Sequence, residues 1–276
     1  MPTMEPEPTP GIEPAPHQHP RTAGSFGADA ERYDRTRPGY PAAMVERIVA
    51  ALPESPQVLD VGCGTGIAAR QFQEAGCRVL GVDVDARMTD LAGRRGLRVE
   101  VAAFESWDPA GREFDAVVSG QSWHWVDPVA GAAKAGQALR PGGLFAVFWN
   151  AGRPPVELVR CFAESYRRVA PESLAARFWA RPAEGAYAKL CAKATDGVRG
   201  AGVFGPAEQW RFDGERSYTR DEWLSQLPTT GAHVQLPPAL ASQAAAEIGA
   251  AIDAAGGGFT MRYVTLAVAA VRSATG

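Results

Sequence analysis

The residues best placed to do chemistry lie in VLDVGCGTG, positions 58–66, where three alternate glycines (Gly62, Gly64, Gly66) follow an apolar run. Glycines at that spacing let a backbone approach a ligand without Cβ interference, and a following helix offers unpaired N–H groups at its start. The pattern is G-x-G-x-G with Ile67 in sixth place, so it departs from the dinucleotide fingerprint G-x-G-x-x-G, and it lacks the G-K-[ST] of a phosphate-binding loop. Asp60, two residues ahead of Gly62, would repel a pyrophosphate and favour an ammonium or sulfonium group. Asp83 ends a second apolar run 21 residues after Gly62, where a carboxylate accepts hydrogen bonds from both hydroxyls of a ribose. Together they describe a cationic adenosine without phosphates. His124, inside QSWHW (121–125), is the one histidine of four near an expected strand end. It either removes a proton from a hydroxyl or amine, or walls the pocket together with Trp125.

These residues need a frame that brings 60–66, 83 and 121–125 to one edge. Strand-like runs at Gln57–Val61, Arg78–Val82, Arg98–Ala102, Phe114–Ser119 and Gly143–Trp149 alternate with helix-length segments, which implies crossover connections and a mostly parallel sheet with helices on both faces. Further strands are expected at Glu208–Phe212 and Thr260–Val271. The fold class is α/β, and ligands of open α/β sheets bind at the carboxyl ends of the strands. Met44, Val45, Ile48, Val49 and Leu52 recur at helical spacing ahead of the first strand, and Gly76 suits the end of the helix that follows the glycine loop.

Residues 1–27 are proline-rich and too poor in apolar side chains to offset their ordering entropy, so a disordered tail is expected there. His17 and His19 in that tail lack further ligands, and no metal site follows. Residues 28–276 read as a single domain with a helical cap (28–55) and an insertion (151–205). Its aromatics Phe162, Tyr166, Phe178 and Trp179 either roof the site as a lid or bury themselves as a small helical core. With 46% hydrophobic and 21% charged residues the 276-residue chain is globular, and a net charge of −3 gives no basic excess for nucleic acid or anionic lipid. Four cysteines without a C-x-x-C pair fit a reducing, cytoplasmic setting.

The sequence resembles the class I S-adenosylmethionine (SAM) dependent methyltransferases, in the small-molecule branch that includes the trans-aconitate methyltransferase-like proteins. The resemblance is carried by VLDVGCGTG (58–66), GVDVDARM (81–88), FDAVVSGQSWHWVD (114–127) and LRPGGLFAVFWN (139–150), and extends to YDRTRPGYP (33–41) and YTRDEWLSQLPTTGAH (218–233). It implies a Rossmann-like seven-stranded sheet with an antiparallel C-terminal strand. The activity implied is methyl transfer from SAM to an oxygen (carboxylate or hydroxyl) or nitrogen of a small-molecule acceptor, by a monomer or homodimer. Position by position, it places Asp60, Gly62, Cys63 and Gly64 at the methionine end of SAM and Asp83 on the ribose. Val84 and Met88 pack on the adenine, Met88 equally being core, and Ala103, Phe104 and Glu105 lie beside it. Ala103 stands where many relatives have a polar side chain, which shifts that contact toward Glu105. Gly120 and Gln121 complete the cofactor side, and Tyr33 covers the donor. Arg37, Tyr40, Trp123, Trp125 and Trp149 face the acceptor, with a structural ion pair as the other role for Arg37. Arg160, Arg167, Arg168 and Arg177 are further candidates for holding an anion. The competing readings are a non-catalytic SAM-binding regulatory module and a nicotinamide-dependent oxidoreductase, the latter disfavoured by Asp60 and Ile67.

Overall fold

The computed structural model describes residues 26–180 and 183–274, so nearly all of the proline-rich segment, with His17 and His19, lies outside the described residues. Seven strands form one sheet in the order β3-β2-β1-β4-β5-β7-β6. β1 (Gln57–Val61), β2 (Arg78–Asp83), β3 (Arg98–Val101), β4 (Phe114–Gly120) and β5 (Leu139–Arg153) are mutually parallel. β7 (Gly258–Val271) runs antiparallel to both β5 and β6 (Glu208–Thr219). Buried apolar runs such as VLDV and FDAVVS suit the centre of a sheet covered on both faces.

Two strands run further than their apolar content implies. β5 continues to Arg153 and β6 to Thr219, because each remains paired with β7 as far as Arg153–Arg262 and Thr219–Gly258. The polar stretch Asp213–Ser217 reads as a loop by composition, yet ladder hydrogen bonds hold it extended.

One face of the sheet is covered by α2 (Ala42–Val49), α3 (Ile67–Glu74) and α4 (Ala86–Arg94), through Met44, Ile48, Ala69, Phe72 and Ala92. The other carries α5 (Pro128–Ala138) and α8 (Ala183–Ala201), through Ala135, Cys191, Ala194 and Val198. A third cluster joins α6 (Val156–Val169), α7 (Leu174–Trp179), α9 (Arg220–Gln226) and α10 (Pro238–Ala254) to the distal ends of β6 and β7, with Phe162, Trp223, Ile248 and Phe259 inside it. Segment 151–205 thus divides: α6 and α7 build this helical cap, and α8 returns to the sheet. Among the described residues no helix is long and apolar enough to cross a membrane.

α1 (Ala30–Thr36) is pinned to the sheet body by Asp34, which pairs with Arg70 at 2.8 Å and with Arg95. Pro38 then prevents the helix from continuing, and the chain crosses the carboxyl edge of the sheet.

Candidate active site

Gly62, Gly64 and Gly66 all adopt positive φ (+66°, +53° and +84°), the left-handed region that disfavours a side chain. A Cβ on Gly62 would overlap the Ser122 hydroxyl, which donates to Val61 O at 2.9 Å. The loop is held from β2: Gly62 N donates to Val82 O (2.8 Å) and Gly64 N to Asp83 Oδ2 (2.8 Å). Asp85 N donates to the other Asp83 oxygen at 2.9 Å. Burial raises the Asp83 carboxyl, and the backbone donors pull against that shift. Each oxygen keeps a lone pair for a further donor.

The loop opens on a cavity of about 760 Å³. Gly62, Gly64, Asp83, Val84 and Met88 line it, together with Ala103, Phe104 and Glu105. Val84 is 51% exposed, an uncovered apolar face beside Asp83. The Phe104 ring itself stacks on Trp107 in the core. Glu105 already accepts from Asp127 N at 3.1 Å. Gly120 and Gln121 line the cavity where β4 ends, with Gln121 at φ +60° and its side chain donating to Asn150 O.

Tyr33, Arg37, Tyr40, His124 and Trp125 also line the cavity. A chain of hydrogen bonds positions the segment that bears Arg37 and Tyr40. Thr265 donates to Asn150 Oδ1 (2.6 Å), Asn150 Nδ2 to Gly39 O (2.9 Å), and Tyr40 exchanges two 2.8 Å bonds with the Gln71 amide. The Arg37 guanidinium lies 5.0 Å from the centre of the Tyr33 ring, close enough to Tyr187 and Tyr263 to feel their phenols. Among the described residues no carboxylate pairs with it. Tyr263 is fixed by a 2.7 Å hydrogen bond to Tyr218, and burial raises the phenols of Tyr40, Tyr187 and Tyr263, which keeps them protonated donors.

Tyr187, from the insertion, and Tyr263 also line the cavity, and Tyr263 was not expected there from the sequence. Tyr263 sits in a strand read as apolar, and its signal is the glycine opposite: Gly152 pairs with Tyr263, and a Cβ there would come within 3.0 Å of the ring.

Four expected site residues stand elsewhere. The Cys63 side chain is buried in the core against Gly81, so only the backbone of that residue shapes the loop. Trp123 is 2% exposed and packs edge-on against Phe145 at 4.9 Å, because the short 3-10 turn Trp123–Trp125 sends the first indole under the sheet and the second toward the cavity. Trp149 lies on the same side of β5 as Phe145 and Val147, within the core, and its Nε1 donates to His124 Nδ1 at 3.3 Å. Asp60 lies behind the wall, 1% exposed with neither oxygen hydrogen-bonded, and burial together with the Asp83 charge pushes its carboxyl up to about 8. None of Arg160, Arg167, Arg168 and Arg177 lines the cavity, and Arg168 is taken by Glu247 at 2.7 Å.

The strand order and the reversed seventh strand, with a glycine loop facing the Asp83 carboxylate, are those of the methyltransferase fold. Residues 33–152 match the family model described as a methyltransferase domain. An uncharacterised methyltransferase of Mycobacterium tuberculosis is 35% identical over 129 residues, 46% of this chain and 52% of that protein. The malonyl-[acyl-carrier protein] O-methyltransferase of Enterobacter lignolyticus is 30% identical over 166 residues, 58% of this chain and 64% of that one. The chain therefore spans about half to two thirds of the length of these relatives. Among solved structures, a candidate type II methyltransferase from Anaeromyxobacter dehalogenans superimposes with a TM-score of 0.61 at 22% identity, covering 84% of this chain and 97% of that one. At that identity the likeness concerns the fold.

Proposed function

We propose that this protein transfers the methyl group of SAM to a carboxylate oxygen of a small-molecule acceptor held in the cavity. The residues fit the donor. The glycine loop leaves room for its methionine end, Asp83 keeps lone pairs for the ribose hydroxyls, and Val84 with Met88 offers an apolar face for the adenine. Bound SAM supplies an electrophilic methyl on a sulfonium centre.

One observation carries the acceptor class: Arg37 brings an unneutralised cation into the cavity wall, ringed by protonated phenols. A guanidinium withdrawn from water without a carboxylate partner is costly to bury, and an anionic ligand offsets that cost with charge-assisted hydrogen bonds. The lone pair of a carboxylate oxygen forms the new O–CH3 bond as the C–S bond breaks and its electron pair stays on sulfur. The products are a methyl ester and S-adenosylhomocysteine, and no proton need move. The contribution of the protein is alignment of two reactants in line. A cavity of about 760 Å³ is the size of an ordinary small-molecule site.

The test pairs calorimetry with a product screen. SAM and S-adenosylhomocysteine are titrated first. A panel of dicarboxylic and aromatic carboxylic acids is then incubated with the protein and SAM, and methyl esters are sought by mass spectrometry. Arg37→Met is expected to lower kcat/KM for any acid turned over by about 10- to 150-fold, the loss of one charged hydrogen bond at about 1.5–3 kcal/mol, with S-adenosylhomocysteine affinity unchanged. Esters formed equally well by the variant would remove Arg37 from acceptor binding.

A further inference from the structure

His124 is the obvious candidate for a base beside the transferable methyl, yet its hydrogen bonding points the other way. An indole N–H is only ever a donor, so the 3.3 Å contact from Trp149 Nε1 makes His124 Nδ1 the acceptor. In the neutral ring the proton then resides on Nε2. Trp149 is 1% exposed and part of the sheet core, whereas His124 lines the cavity, so the ring edge away from Trp149 is the one presented to a ligand. Nε2–H has no partner among the described residues.

We propose that Trp149 acts as a positioning residue that holds His124 as an Nε2–H donor, so that His124 hydrogen-bonds an acceptor oxygen and does not deprotonate it. This rests on the methyl-transfer reading above and deepens it. Protonating His124 would set an N–H against the indole N–H, and burial acts in the same direction, lowering the imidazole to about 4. Neither a carboxylate nor a cation contributes to that shift. Of the other titratable groups around the cavity, Tyr40, Tyr187 and Tyr263 are held protonated, Asp85 is paired with Arg87, and Asp83 is assigned to the ribose in the reading above. A nucleophile used here must arrive ready to attack, as a carboxylate does and an alcohol does not.

The experiment is long-range 1H–15N NMR of the imidazoles in the 15N-labelled full chain with S-adenosylhomocysteine bound, His124 being assigned by its loss in His124→Gln. The expected result is a neutral Nε2–H tautomer from pH 5.5 to 8. Trp149→Phe, which removes the donor, is expected to give mixed tautomers and an imidazole pKa at least one unit higher. A wild-type Nδ1–H tautomer, or titration between pH 6 and 8, would overturn the proposal. Should Trp149→Phe fail to fold, His124→Gln serves instead, since its amide N–H replaces the Nε2–H donor but cannot act as a base. It is expected to keep at least a third of wild-type turnover on the carboxylic acid panel, and a loss beyond 100-fold would overturn the donor role. Absence of any wild-type turnover would sink the methyl-transfer reading on that panel and leave the tautomer measurement to decide this one.

Discussion

Asp60 shows how a side chain behind the cavity wall takes its protonation state from its surroundings. A carboxyl that is 1% exposed and without a hydrogen-bonded oxygen is too costly to ionise, and its value of about 8 expresses that cost. The sign of the linkage follows directly. Between its ordinary value of 3.8 and about 8 the folded protein retains a proton that the unfolded chain has released. The contribution of Asp60 therefore favours folding below this window and is lost as pH rises through it. Asn imitates the protonated carboxyl in shape without ever ionising. The thermal midpoint of ligand-free Asp60→Asn is expected to exceed that of the wild type by a margin that widens from pH 5 to pH 8.5, as scanning fluorimetry would show. A constant margin would mean that Asp60 is already ionised at pH 5. Its place two residues before Gly62 was legible in the sequence, but its protonation was not, because that depends on Asp83 and on the helices that exclude water from it.

At the scale of elements, the glycine loop is the part where local sequence and local structure agree most closely. Three alternate glycines demand a backbone that side chains resist, and all three adopt it. Gly62→Ala would combine a strained φ with overlap on Ser122, so S-adenosylhomocysteine affinity is expected to fall at least tenfold by calorimetry, and the thermal midpoint to drop with a strain of about 1–3 kcal/mol. The five parallel strands were equally legible, because buried runs between helix-length segments are a pattern within the chain. The division of the aromatics was not. Trp123 and Trp125 are two residues apart and look alike in sequence, yet the 3-10 turn between them sends one to the core and the other to the cavity. Tyr263 required the β5–β7 register, a contact between positions more than a hundred residues apart. Periodicity reports which residues share a face and is silent on what that face meets.

At the scale of the molecule, the cap and the sheet share strands. Trp210, Ala267 and Ala269 belong to the sheet core, whereas Tyr218, Phe259 and Met261 farther along the same ribbon belong to the cap cluster. The two bodies are therefore expected to melt together. Ile248→Ala, which removes a fully buried side chain from the cap, should cost about 2–5 kcal/mol and shift one cooperative urea transition rather than split it, monitored by far-ultraviolet circular dichroism and tryptophan fluorescence. Two separated transitions would show that the cap unfolds alone. The uninterrupted β6–β7 ribbon also bears on the thermodynamics of ligand capture. A cap tied to the sheet by a continuous ladder cannot swing as a body without rupturing backbone hydrogen bonds, so little chain entropy remains to be surrendered when a ligand enters. The heat-capacity change of acceptor binding should then track only the apolar surface covered inside the cavity, without the larger negative increment that accompanies a segment folding around its ligand.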